Sequence, residues 1–324
     1  MSDSHNVTPE ATEVENNSTS VEDSTTSPSL KADTAGQGDK PRRNASLWMD
    51  AFHDLRRRPT AIISTLYILL MVSMAAFPWL WTRTDPRDCD IGEARLHPSS
   101  EHIFGTSVTG CDYYAQAIYG ARPSILVALF GTLGVVLIGG VFGVLAGYFG
   151  GWIDALLIRL SEIVAGLPFL LGGVAFLTLV GTHSVWAIAS VLAVLIWPQV
   201  ARIMRASVIS AKNMDYVQAA RSLGASNTRI ILRHILPNAV APTIVVATIL
   251  LGSFVGAEAT LTFLGVGLQP PTVSWGVMIN QAQNFVLTGY AYLLIFPAGL
   301  LVGTVLSFIL LGDAVRDALD PKLR

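Results

Sequence analysis

Charge is scarce in this chain: only 14% of its 324 residues are Asp, Glu, Lys or Arg, against 52% in the apolar set. A soluble domain commonly holds about 25% charged residues, so a water-facing surface of ordinary size is excluded. Catalytic signatures are missing as well. No G-x-x-x-x-G-K-[ST] cradle for a nucleotide phosphate occurs, no H-E-x-x-H helix and no G-x-S-x-G elbow. The six histidines, His5, His53, His97, His102, His183 and His234, are scattered. The N-terminus lacks the basic and apolar regions of a signal peptide, so the first hydrophobic span is expected to remain as an uncleaved anchor. Cysteine occurs twice, as Cys89 and Cys111.

What the chain has is long apolar runs. A bilayer core of about 30 Å takes roughly 20 apolar residues as helix, and runs near that length recur after Pro59. The expected fold is an all-α membrane protein with six transmembrane helices over 60–82, 123–147, 153–180, 184–201, 240–266 and 291–312. Together they form one membrane domain, 60–312, followed by a short tail, 313–324. Before it, residues 1–39 hold eight acidic residues, one basic residue and no aromatic. Such a composition cannot offset its ordering entropy, and a disordered tail is expected over 1–45. Over 46–58, Leu47, Trp48, Ala51, Phe52 and Leu55 recur at helical spacing. They suggest an amphipathic helix on the membrane surface, with an ordinary soluble helix as the alternative.

An even number of spans puts both termini on one side. Of 21 Lys and Arg, only Arg83, Arg87, Arg95 and Arg122 fall beside the loops of one face. Arg56, Arg57, Arg58, Arg202, Arg205, Lys212, Arg221, Arg229 and Arg233 closely flank the other. The positive-inside rule makes the second face, with both termini, cytoplasmic. Two outer segments follow, 83–121 and 267–290, with one large inner loop, 202–238. Gly139, Gly143 and Gly147, four apart, mark a face where another helix comes close. Arg159 and Glu162 can pair on one helix face. Glu258 is the clearest acid within a span, where charge is costly, so it should face protein or water. A place along a translocation path and a hydrogen bond to a neighbouring helix both fit it.

The inner loop carries the most information. From Ala201 to Asn238 it is basic and helix-forming, with breaks at Gly224 and Pro237. It reads as helix, turn, helix. Asp215 favours the start of a short helix through its dipole, and Gly224 supplies a left-handed stop after it. Val217, Ala219, Ala220 and Leu223 offer a small apolar surface. The run Gln218-Ala219-Ala220, then Gly224, then Leu236-Pro237 resembles the EAA loop of ATP-binding-cassette importer permeases. The resemblance continues through Gly105-Thr106, Gly110, Asp112 and Tyr119-Gly120-Ala121-Arg122, then Ala146 to Gly151 and Arg233 to Asn238. It resumes at Phe263-Leu264-Gly265, Gln269-Pro270-Pro271, Ser274-Trp275-Gly276, Leu311-Gly312-Asp313 and Asp317 to Pro321. It is nearest the C-type permease of dipeptide and oligopeptide importers and covers residue 50 onward.

That resemblance implies a coupling helix seated in a groove of a separate ATPase, carried here by Asp215, Tyr216, Gln218, Ala219, Ala220, Gly224 and Ala225. It implies a second permease, ATP-binding subunits holding ATP and magnesium, an external substrate-binding protein and a bacterial cell membrane. The chain itself is expected to bind no cofactor or metal, to catalyse nothing and to meet no nucleic acid. Peptide is the expected cargo, with nickel or glutathione as alternatives; a stand-alone secondary transporter or channel is the reading from another class. Departures from the family pattern are Gln218 for its usual Glu, His234 where Ile is common, Ser107 for Asp and Cys111 for Arg. An oxidising outer location makes a Cys89–Cys111 disulfide the leading expectation, with free thiols, or a metal site shared with His97 and His102, as alternatives.

Overall fold

Backbone groups in hydrocarbon must find partners within their own segment, which leaves the helix as the solution for a single span. The computed structural model describes residues 53–319, and every long element among them is helical. The tail expected over 1–45, most of the expected surface helix over 46–58, and residues 320–324 lie outside the described residues.

Five helices are long and apolar enough to cross a membrane: α1 (Pro59–Ala76), α2 (Tyr113–Phe149), α5 (Val185–Lys212), α9 (Ala241–Phe263) and α11 (Tyr292–Leu319). Between α2 and α5 the expected continuous span over 153–180 is corrected. It is two helices, α3 (Gly151–Ala165) and α4 (Phe169–Val180), meeting at 89°. Pro168 explains the break. The residue before a proline is pushed away from helical angles, and Leu167 follows Gly166, a weak helix former. Counted as one broken crossing, the pair brings the total to six.

Helix and membrane span also differ in length. α2 begins at Tyr113, inside the segment read as outer loop, because Asp112 caps it by accepting the Ala115 N–H at 2.7 Å. α5 runs to Lys212, eleven residues beyond the expected span end at 201. The segment over 267–290 contains a short helix, α10 (Trp275–Ala282), started by Ser274 Oγ accepting from Val277 N.

The centre of the fold is the crossing of α2 on α5. A Cβ added at Gly139 would lie 2.7 Å from the Trp197 carbonyl oxygen, at Gly143 2.6 Å from that of Ala201, and at Gly147 2.9 Å from that of Arg205. The glycine stripe therefore sets the interaxial distance, and packing alone accounts for it. Around this crossing Val127, Val135, Ile188, Leu192, Phe254, Val255, Leu261 and Trp275 form the main core. α1 and α11 close one flank, where Tyr67 Oη donates to the Leu300 carbonyl.

The segment between α1 and α2 is anchored on the start of α11. Tyr292 Oη donates to the Thr106 carbonyl at 2.9 Å, and Tyr113 Oη donates to that of Leu293 at 2.5 Å. Arg95 places its guanidinium over Phe285 and Tyr290, at 5.3 and 5.4 Å.

Candidate functional site

Two turns of polar and small residues leave the end of α5 and form a foot. α6 (Asp215–Ser222) opens with Asp215 in its first turn and closes with Arg221 in its last, both signs agreeing with the helix dipole. Gly224, at φ +80°, then turns the chain. Ala225 N–H donates to the Ala220 carbonyl at 3.1 Å, and Gly224 N–H to that of Arg221 at 3.0 Å, the paired bonds of a Schellman stop. Two short helical turns, α7 (Asn227–Ile230) and α8 (Leu236–Ala239), flank a wider π turn at Ile231–Ile235. The widening precedes Pro237, which has no N–H to give to a regular ladder.

The foot divides the small apolar surface read from the sequence into two faces. Val217 is fully buried, with Met204, Val208, Ala211, Ile230, Ile235 and Ala239 in a second core cluster distinct from the membrane one. Leu223 points the other way and is 88% exposed. Asp215, Tyr216, Gln218, Ala219 and Gly224 share the exposed side, while Ala220 and Ala225 are half-buried. Seven residues expected to act together are thus contiguous on one protrusion. Leu223 and Met214, the latter 48% exposed, extend its apolar tip. At 3.6 residues per turn Leu223 stands about 120° round the helix from Val217, which already puts the two on different faces.

Tyr148 joins the foot to the membrane helices. Its hydroxyl donates to Asn227 Oδ1 at 2.7 Å. Lys212 Nζ donates to the Tyr148 carbonyl, among the last unpaired oxygens of α2, and lies 5.4 Å from its ring centre. Two turns earlier on α5, Arg205 holds Asp154 through two bonds of 2.5 and 2.6 Å, linking α5 to the start of α3. Asn238 Nδ2 donates to Tyr216 Oη at 3.3 Å, closing α8 onto α6. Gln218, standing where the family has Glu, reaches the Lys212 carbonyl at 3.5 Å. The foot is therefore fixed directly to α2 and α5, and α5 is fixed in turn to α3.

The other expected site residues lie elsewhere. Glu258 is wholly enclosed by protein. Oε2 accepts from Ser124 Oγ at 2.8 Å, and Oε1 accepts from Thr262 Oγ1 at 2.9 Å and Ser274 Oγ at 3.1 Å. Its three partners sit on α2, α9 and the start of α10, so the carboxyl group ties three elements together. Arg159 and Glu162 pair at 3.1 Å on the exposed side of α3. Cys89 and Cys111 are joined in a disulfide across 22 residues, a closure that contributes about 3 kcal/mol on the chain-entropy account. Of the two histidines weighed with them, His97 stacks on Tyr290 and His102 faces Asp112 at 3.1 Å.

Comparison with known proteins addresses the chain as a whole. A family model described as "Binding-protein-dependent transport system inner membrane component" matches residues 139–324. A second, "N-terminal TM domain of oligopeptide transport permease C", matches residues 46–98. The dipeptide transport system permease protein DppC of Bacillus subtilis is 38% identical over 284 residues, 87% of this chain and 88% of that protein. The oligopeptide transport system permease protein OppC of the same organism is 35% identical, over 90% of this chain and 96% of its own. A glutathione transport system permease protein, GsiD of Pectobacterium atrosepticum, is 33% identical over 86% of this chain and 92% of its own. Among solved structures, an inward-facing form of the MetNI methionine ABC transporter aligns with a TM-score of 0.52 at 21% identity. It covers 63% of this chain and 96% of that one, a likeness of fold.

Proposed function

This chain belongs to the family of binding-protein-dependent transport system inner membrane components, and from that membership we propose that its foot, 214–238, docks a separate ATPase and couples it to peptide import. It is a multi-pass permease of an ATP-binding-cassette importer, of the dipeptide and oligopeptide type. The single observation that carries the docking role is the division of the foot into a packed face under Val217 and an exposed apolar tip at Leu223. A protrusion free to move would dissipate force. This one is fastened to α2 and α5, and through Arg205 of α5 to α3.

In the proposed mechanism the broken pair α3 and α4 counts as one crossing, so that both termini share one side with the foot, and that side is taken as the cytoplasm. The basic residues Arg202, Arg205, Lys212, Arg221, Arg229 and Arg233 gather on that side, in line with the positive-inside rule. The chain pairs with a second permease, and the two enclose a path. Closure of two ATPase subunits, which hold ATP and magnesium, displaces Asp215 to Asn227 and rocks α2, α3 and α5 between inward and outward access. Cargo arrives from an external binding protein. Glu258 has a holding role here, because all its hydrogen-bond partners are hydroxyls of this chain's own helices.

Extraction in mild detergent and identification of the co-purifying proteins tests the docking. Recovery of a second permease and P-loop ATPases, lost when Ala220 or Gly224 is replaced by Glu, is the expected result. Recovery of the chain alone under several gentle conditions would favour a stand-alone transporter. Uptake of labelled di- and oligopeptides by cells lacking the chain tests the cargo, and unchanged uptake of every peptide would refute it.

A further inference from the structure

Three arginines line one cavity of about 580 Å³ at the end of α1, with Asp85, Tyr119 and Thr272 among the other lining residues. They are Arg83 and Arg87, in the segment after α1, and Arg122 on α2. All three are exposed, and none has an ion-pair partner among the described residues. Asp85, the one carboxylate in the lining, already accepts the Arg87 backbone N–H at 2.9 Å. Three guanidinium groups against one engaged carboxylate make a cationic pocket, and each guanidinium offers a fork that matches the oxygens of a phosphate.

Its depth says where the anion comes from. Between the end of α1 at Ala76 and Arg83 the chain exposes Phe77, Trp79 and Leu80, and the Phe77 and Trp79 rings meet edge to face at 5.4 Å. Exposed aromatics at the end of an apolar span sit at the headgroup level. Below them Ile63, Leu66, Leu69 and Leu70 line an apolar groove on the lipid-exposed side of α1. The cationic pocket therefore opens at the depth of lipid phosphate, beside a helix that offers surface for acyl chains. We propose that Arg83, Arg87 and Arg122 bind the headgroup phosphate of an anionic phospholipid of the surrounding membrane. Nothing in this depends on which cargo the transporter carries.

Lipid mass spectrometry of the complete transporter, purified in mild detergent, tests it. The wild-type complex retains phosphatidylglycerol above its share of the membrane, with phosphatidylethanolamine near its share. In the R83Q/R87Q/R122Q variant the retained phosphatidylglycerol falls by about tenfold or more, since each basic side chain near a membrane surface adds to the attraction. Replacing the three by Lys keeps most of the enrichment. The variant complex must also keep its subunits, so that loss of lipid is not loss of fold. Equal retention by wild type and variant overturns the proposal. So does displacement of the lipid by inorganic phosphate, which makes the pocket a free-anion site, or by an acidic tripeptide, which makes it a cargo site.

Discussion

Tyr148 Oη donates to Asn227 Oδ1 at 2.7 Å, so the last turn of α2 and the second helical turn of the foot share a bond that crosses 79 residues of chain. The same tyrosine receives Lys212 from the end of α5. One residue, through its hydroxyl and its backbone carbonyl, thus holds both ends of the segment that would carry force.

Replacing Tyr148 by Phe keeps the ring and removes one hydrogen bond, a loss of about 1 kcal/mol. The complex is expected to assemble and hydrolyse ATP, but to move several times less peptide per ATP consumed. Parallel measurement of uptake and hydrolysis in proteoliposomes checks this, and a wild-type ratio would show that the bond transmits nothing.

Leu223 is exposed in the isolated chain, so Leu223→Asp should leave folding untouched. Removing an apolar anchor from an interface costs about 2 kcal/mol or more, or more than tenfold in affinity. Recovery of ATPase subunits with the tagged permease should fall accordingly, while Leu223→Met retains them. Full recovery with Asp would place the docking contact elsewhere on the foot.

The apolar runs made the membrane helices legible, and the order Gln218-Ala219-Ala220, Gly224, Leu236-Pro237 made the foot legible, because small residues and a left-handed glycine are chemical demands written at single positions. The break between α3 and α4 was not. Every residue from Leu167 to Val180 is apolar or small, so hydropathy reads straight through Pro168. Glu258 was legible as an acid in a span, but its three hydroxyl partners come from sequence positions 134, 16 and 4 residues away, a convergence that only the fold produces. Tyr148 escaped notice for a similar reason. Its partner, Asn227, lies beyond α3, α4, α5 and α6 in the chain.

Gly143 and Gly140 lie on one helix and should answer differently to the same change. A Cβ at Gly143 would meet the Ala201 carbonyl at 2.6 Å, whereas one at Gly140 has nothing within 4 Å. Overpacking of this kind costs about 1–3 kcal/mol. Gly143→Ala is expected to cut the yield of monodisperse protein in fluorescence-detected size exclusion, and Gly140→Ala to leave it unchanged. Similar yields from both would mean that α2 and α5 separate freely.

Glu258→Gln keeps an oxygen acceptor and is expected to fold and transport. Glu258→Ala leaves three buried hydroxyls without their acceptor and opens a cavity, a loss of about 3 kcal/mol. Thermal unfolding of the two purified variants, with uptake assays on the first, separates a holding role from a pathway role. Normal stability of the Ala variant, or transport abolished in a stable Gln variant, would move Glu258 onto the path.

The bend of 89° between α3 and α4 also bears on how the chain is made. At 1.5 Å per residue, the 15 residues of α3 and 12 of α4 reach about 22 and 18 Å, each short of a bilayer core of about 30 Å. Neither half, leaving the ribosome alone, has the length to be released into lipid as a finished crossing. The finished crossing is held by its neighbours instead, with Asp154 of α3 bonded to Arg205 of α5. On hydrophobic length alone, α3 and α4 are expected to enter the bilayer as one unit packed on α5 rather than as separate crossings.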